Sequence, residues 1–404
     1  MGRFRVRVTA TIGIAVAAVA IGAAPGWAGT RTEPGDEASA AAAVVVRAAQ
    51  ADDLGAEAAA RVAAMTVREQ AASVVMGHVS TTDAATLADY MTQTGIGGFI
   101  LMGENIPSDE TGLRALTAAL TPDAAFPPLI AVDQEGGDVS RLGWDALPAA
   151  GTLKNEPPAA TQDAFAGRGA LVQRSGIGVN FGIVADVTDD PSSFIYGRAL
   201  GTTPQGGADR VSAAVAGEGD QVLSTLKHFP GHGAAAGDSH TVIPATGMTQ
   251  QEWVVSAAVP FQAGIDAGAP LLMFGHLAYT AVDPAPASLS AVWHRIARED
   301  LGFEGVSITD DLGMLEASGD PAYADPVANA VSAIAAGNDM VLAVIYTTAE
   351  TAPRMVDGIV AAVESGAIPG DRLEEAATRV AALRLALAAG GRGLMPCAAC
   401  APVG

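Results

Sequence analysis

The chain is short of positive charge. Its 404 residues carry 22 Lys and Arg against 44 Asp and Glu, a formal net charge of −22 at pH 7, and the lysines are only Lys154 and Lys227. So acidic a chain repels phosphate backbones and anionic headgroups, which excludes nucleic acid and anionic membrane surfaces as partners. Aromatic residues make up 5% of the chain, too few for extended stacking platforms. Cysteine is almost absent: Cys397 and Cys400 form a Cys-Ala-Ala-Cys run in a tail that follows Gly390, Gly391 and Gly393. A redox pair normally opens a helix after a strand; this placement instead predicts a local disulfide formed in an oxidising compartment. The longest apolar stretch, 9–24, is short for a bilayer span, which needs about 20 residues.

That stretch follows Arg3, Arg5 and Arg7 and precedes Pro25-Gly-Trp-Ala28. A positive segment, an apolar segment and a small residue in this order read as an export signal, 1–28, with cleavage after Ala28. Its removal would take the net charge from −22 to −25. With no cysteine behind the apolar segment, a lipid anchor is not expected. The localisation expected is secreted or cell-wall associated.

Half of the composition is hydrophobic, a globular proportion, and the length suffices for a sizeable core. Residues 29–55 are Ala-rich without apolar periodicity and read as a linker, and 56–72 as an amphipathic helix. Short apolar runs then alternate with helical patterns. Strands are predicted at 73–77, 97–102, 129–133, 179–184, 222–227, 271–275, 306–309 and 340–344. Helices are predicted at 85–94, 110–120, 159–175, 207–217, 250–267, 291–300, 323–336 and 371–389. Eight strand–helix units predict an α/β protein with a single-domain (β/α)8 TIM barrel over 56–390, followed by a tail at 391–404. Active sites of such barrels lie at the C-terminal strand ends. Asp133, Lys227, His228, His276 and Asp310 all fall there. An open doubly wound sheet is the alternative; the missing Gly-rich turn after the first strand weighs against it.

The densest chemistry is Lys227-His-Phe-Pro-Gly-His-Gly233, followed by Asp238-Ser-His240, which gathers three of the six histidines. Asp238 and His240 are two residues apart, so the carboxylate can orient the imidazole and raise its basicity. His228, His232, Asp238 and His240 also offer zinc donors, but their spacing matches no zinc signature and Lys227 would set a cation beside the metal. No metal and no cofactor are expected. Gly231, Gly233 and Gly237 suggest a loop that moves over a substrate.

This KHFPGHG-x4-DSH run resembles the signature of glycoside hydrolase family 3, in its β-N-acetylglucosaminidase branch. The resemblance runs from about 65 to 387 and includes Gly95-Ile-Gly-Gly-Phe-Ile, Asp133-Gln-Glu-Gly-Gly, Asn180-Phe through Asp186-Val, Gly197-Arg198 and the stretch from Leu301 through Asp310-Asp-Leu-Gly-Met. It implies retention of configuration, which needs a nucleophile and a proton donor: Asp310 as nucleophile and His240, oriented by Asp238, as acid/base. Asp311 would cap or orient. Asp133, Arg141, Arg198, Lys227 and His228 match the family's sugar contacts, and Glu135 is read as structural. Larger relatives draw their acid/base residue from a second domain; here the barrel loop must supply it. Two features depart from the family pattern: Asp138 stands where an arginine is usual, and 188–196 differs from the common form. The expected function is an exported retaining exo-β-N-acetylglucosaminidase acting on β-linked N-acetylglucosamine glycans of peptidoglycan or chitin type. The alternatives are a broad β-glucosidase or β-hexosidase, a phosphate-using variant, and a non-catalytic wall-glycan-binding protein.

Overall fold

The computed structural model describes residues 53–390. The predicted signal peptide, most of the predicted linker and the tail with Cys397 and Cys400 lie outside the described residues. Eight parallel strands close into a barrel: β1 (Val75–Gly77), β2 (Gly98–Leu101), β3 (Leu129–Val132), β4 (Val179–Val184), β5 (Leu223–Phe229), β6 (Leu271–Phe274), β7 (Val306–Asp311) and β8 (Met340–Leu342). The ladder runs in chain order, and β1 pairs with β8 in register Val75 to Val341 to close the ring. All eight coincide with predicted strands. Buried on both faces, they read in sequence as apolar runs without alternation.

The helices are α1 (Ala84–Thr94), α2 (Glu110–Ala119), α3 (Pro158–Arg174), α4 (Pro204–Glu218), α5 (Ala258–Asp266), α6 (Ala291–Arg295, continued by a π-turn Ile296–Asp300), α7 (Pro326–Ala336), α8 (Thr351–Glu364) and α9 (Gly370–Ala389). Sequence reading misses α8, although Ala352, Met355, Val356, Ile359 and Ala362 bury one face at helical spacing. Pro353 and Gly358 dilute that signal. The helix expected over 56–72 is two: 53–63 and Val67–Ser73. Thr66 begins the second with a reciprocal capping box to Glu69, which forces the break. The helix expected over 250–267 likewise divides into Gln250–Val254 and α5.

One apolar cluster fills the barrel, with Met76, Ile100, Ala131, Phe181, Met273 and Ile308 among its members. Val380 and Leu387 of α9 join it against Leu129, Val179 and Leu271, residues at or near strand starts. The N-terminal mouth is therefore stoppered by α9, and the C-terminal mouth is left for chemistry.

Candidate active site

Over the C-terminal ends of the strands lies a cavity of about 520 Å³. Asp133, Arg141, Arg198, Lys227, His228, His240 and Asp310 all line it. Of the sequence-derived site residues only Asp238 does not; it stands behind His240 and accepts a hydrogen bond from its Nδ1 at 2.6 Å.

The floor is built from β3 and β5. Lys227, 2% exposed, donates to Asp133 Oδ1 at 2.8 Å and reaches Glu135 Oε1 at 2.7 Å. Arg198 clasps the same Glu135 with two bonds, at 2.7 and 2.9 Å. Burial raises the Glu135 carboxyl, but Lys227 and Arg198 outweigh it and hold the group down to about 2. Glu135 is thus the hinge pin between two site cations. A sequence cannot show that, because Lys227 arrives from β5 and Arg198 from the loop after β4. Arg141 sits 3.7 Å from Asp133 and its Nε has no hydrogen-bond partner among the described residues.

Gln134 fixes the short antiparallel hairpin that follows β3, Gln134–Gly136 against Val139–Ser140. Its Oε1 accepts from Arg141 N and Leu142 N at 3.0 and 2.9 Å, and its Nε2 donates to Asp145 at 2.7 Å. Asn180 clamps its main chain from both sides, at 3.1 Å each. Buried amide groups left unpaired here would each cost about 1–3 kcal/mol, so the loop has one arrangement.

His228 makes a second carboxylate–imidazole pair. Its Nδ1 lies 2.7 Å from Asp186, which also accepts main-chain N–H bonds from His228 at 3.2 Å and His232 at 2.5 Å. Burial raises the Asp186 carboxyl; the charge of His228 and these donors overcome it and leave it below its usual range. The peptide bonds Lys227–His228 and Phe229–Pro230 are both cis.

Asp310, next to last in β7, lines the cavity. Burial pushes its carboxyl up, but His228, His276, the Asp311 N–H (2.8 Å) and Lys227 more than offset this, so it is held ionised. Asp311, also on the cavity wall, spends its carboxylate on the main chain, accepting from Gly313 N at 3.0 Å and from Val344 N and Ile345 N at 2.8 Å each. It ties β7 to the β8 loop, while burial pushes its carboxyl up to about 7. His276 sits beneath this pair, its Nε2 2.8 Å from the Asp311 carbonyl.

His240 is half exposed, and so is Asp238. The loop that carries them is packed more closely than its glycines suggest. A Cβ on Gly233 would lie 2.1 Å from the Val187 carbonyl oxygen, and Gly237 has φ +109°. At these two positions glycine answers a close approach and a left-handed backbone. Phe194, inside the departing segment 188–196, braces the loop. Its ring stands 5.6 Å from His240, edge-on, and 5.5 Å from His232. Asp138, the other departure, lies on the cavity wall. Two residues that matter to the geometry had no role named from the sequence: Asp186, and Phe194 in a segment with no matching pattern; Glu135, read there as structural, is placed between the two cations. Among the described residues no three His, Cys, Asp or Glu side chains converge as a metal site.

Residues 66–383 match the model of the glycosyl hydrolase family 3 N-terminal domain. The chain belongs to glycosyl hydrolase family 3. The family 3 chain is 37% identical over 259 residues to a beta-hexosaminidase of Alkalilimnicola ehrlichii, covering 61% of this chain and 73% of that protein. It superposes on a family 3 beta-N-acetylglucosaminidase from Paenibacillus sp. with TM-score 0.75 at 30% identity, covering 81% of this chain and 64% of the other, so it spans just under two thirds of that protein. A beta-N-acetylhexosaminidase from Beutenbergia cavernae gives TM-score 0.70 at 30% identity and is covered over 99% of its length.

Proposed function

We propose that this family 3 protein is a retaining exo-β-N-acetylglucosaminidase, exported, that removes terminal N-acetylglucosamine from peptidoglycan fragments or chitin-type oligosaccharides. It is a glycoside hydrolase of the β-N-acetylhexosaminidase type, as the relatives at this level of identity are. The observation that carries the finer reading is the shared wall: an ionised, partly buried Asp310 and a half-exposed His240 line one cavity, with Asp238 on the far nitrogen of that histidine.

The chemistry follows from those positions. Asp310 attacks the anomeric carbon and forms a glycosyl ester as the glycosidic bond breaks. His240 Nε2 gives its proton to the departing oxygen, while Asp238 holds Nδ1 and stabilises the imidazolium. The same nitrogen then takes a proton from water, whose oxygen displaces Asp310 and restores the starting configuration. Asp133, Arg141, Arg198, Lys227 and His228 present donors and acceptors for the sugar's hydroxyl and acetamido groups. Export rests on the pattern of residues 1–28, and its check is the N-terminus of protein recovered outside the cell, expected at Gly29.

Asp310→Ala is expected to fold and to lose at least about a hundredfold in turnover. A slow 5-fluoro N-acetylglucosaminyl donor, which keeps the acetamido group, should label Asp310, read by peptide mass. Labelling elsewhere, or a variant that keeps its rate, would overturn the assignment.

A further inference from the structure

Of the described residues that line the catalytic cavity, four are exposed: Asp138, Phe194, Gly197 and His240. They mark its mouth, and they are linked. The Phe194 ring stands 5.6 Å from that of His240. Gly197, three residues further on, comes so near Asp138 that a Cβ there would lie 3.6 Å from Oδ2. The mouth is thus a rim that runs from the acid/base histidine through an aromatic ring to a carboxylate.

The leaving unit must lie at this rim. His240 gives its proton to the departing oxygen, so that oxygen sits beside the imidazole. The terminal sugar takes the floor among Asp133, Arg198, Lys227 and His228, and what departs lies outward of it, where the cavity opens. The rim also holds an uncompensated charge. The cations of the floor are turned to other carboxylates: Lys227 and Arg141 to Asp133 at 2.8 and 3.7 Å, and Arg198 to Glu135 at 2.7 Å. Of the carboxylates that line the cavity, Asp138 alone makes no hydrogen bond or ion pair among the described residues. It stands where the family usually has an arginine, so the charge met by a leaving unit is reversed. A free carboxylate beside an apolar ring suits a pyranose that bears an ammonium group: the charge meets the carboxylate, and the C–H face meets the ring.

We propose that the Asp138 rim takes a leaving unit with a free amino group, so that the preferred substrate ends in N-acetylglucosamine joined to an unacetylated glucosamine. Asp138 is then a specificity-determining residue, and Phe194 supplies apolar contact to the same pyranose. This rests on the glycosidase reading above and names the chemistry of the second sugar.

The test compares two disaccharides with the full-length protein, at about pH 6, where a sugar amine is charged. One is N-acetylglucosaminyl-β-1,4-glucosamine; the other is the β-1,4-linked disaccharide of N-acetylglucosamine. They share the bond that is cut and differ by one acetyl group on the leaving unit. The quantity read is the ratio of their kcat/KM values, amine over acetylated, from the N-acetylglucosamine released. At about 0.01 M salt the wild-type ratio should be at least about three, the size expected of one partly open charge pair. Salt at about 1 M, where the Debye length is about 3 Å, should remove most of that preference. Asp138→Asn should bring the low-salt ratio down toward one, and Asp138→Glu should keep it. The salt arm needs no variant, so it decides even if a substitution fails to fold. A wild-type ratio of one or less, a ratio indifferent to salt, or one that Asp138→Asn leaves in place would overturn the ammonium site while the glycosidase reading stands, since both disaccharides are still cut. Turnover of neither would sink the parent reading, and the rim with it.

Discussion

Among the described residues stand two carboxylate–imidazole pairs of nearly the same geometry. Asp186 and His228 meet at 2.7 Å, Asp238 and His240 at 2.6 Å. What separates them is water. The first pair is buried, with Asp186 also gripped by main-chain N–H groups. The second is half open to solvent on a loop over the cavity. A proton shuttle must exchange its proton with each turnover, and a pillar must not. On the proposed mechanism, burial decides which of the two each pair becomes.

Breaking the buried pair should have the largest effect. Asp186→Ala leaves the His228 side chain and two main-chain N–H groups without their acceptor. Removing one partner of such a buried pair costs about 3–5 kcal/mol, so chemical denaturation should show a large drop in stability together with loss of turnover. A variant of wild-type stability would mean that Asp186 is no pillar.

Breaking the open pair should spare the fold and harm the chemistry. His240→Ala is expected to lower turnover of the β-1,4-linked disaccharide of N-acetylglucosamine by roughly 10²–10⁴, and of nitrophenyl N-acetylglucosaminide much less, since nitrophenolate needs no proton to depart. The melting temperature should barely move. Asp238→Asn should act in the same direction, on the order of tenfold. Equal losses on the two substrates would remove His240 from the acid/base role.

The contrast sharpens a third time in acid. Burial makes His232, His276 and His294 harder to protonate, and His294, stacked on Phe274 at 3.9 Å, is the extreme case, pushed down to about 4. An unfolded chain takes up this proton as pH falls through about 6.5, and the folded chain only near 4. Stability is whole above the upper value and declines between the two as pH falls, by up to about 3 kcal/mol from this group. Glu218, raised to about 7 by burial, slopes the other way. The diagnostic is therefore a difference: wild type should lose more stability between pH 7 and pH 5 than His294→Asn, measured by urea midpoints. Equal losses would show that His294 does not titrate in this window.

The same contrast explains what the amino-acid sequence made legible. Strands showed themselves as apolar runs, and Asp310 stood out as a charge at the end of one. His240 and Asp238 were visible because they are neighbours along the chain. Glu135 and Asp186 were quieter, since each acts only through residues brought to it by the barrel: Glu135 by Lys227 and Arg198, Asp186 by His228 and His232. Local pairs can be read in a sequence, and pairs made by closure of the ring cannot. The missed α8 is a different failure, in which Pro353 and Gly358 obscured an apolar stripe that was there to be counted.

The cation–carboxylate chain along the floor, from Asp133 through Lys227 and Glu135 to Arg198, has a thermodynamic consequence. Every link of it is made by the protein's own side chains. Long side chains lose up to about 2 kcal/mol of rotamer freedom each when fixed, and here folding has already taken that loss. A sugar entering the cavity meets a finished mould, so calorimetry of ligand capture should record little entropy opposing it. Loosening the mould with Lys227→Met, which cuts the ionic chain, should appear first in that entropy.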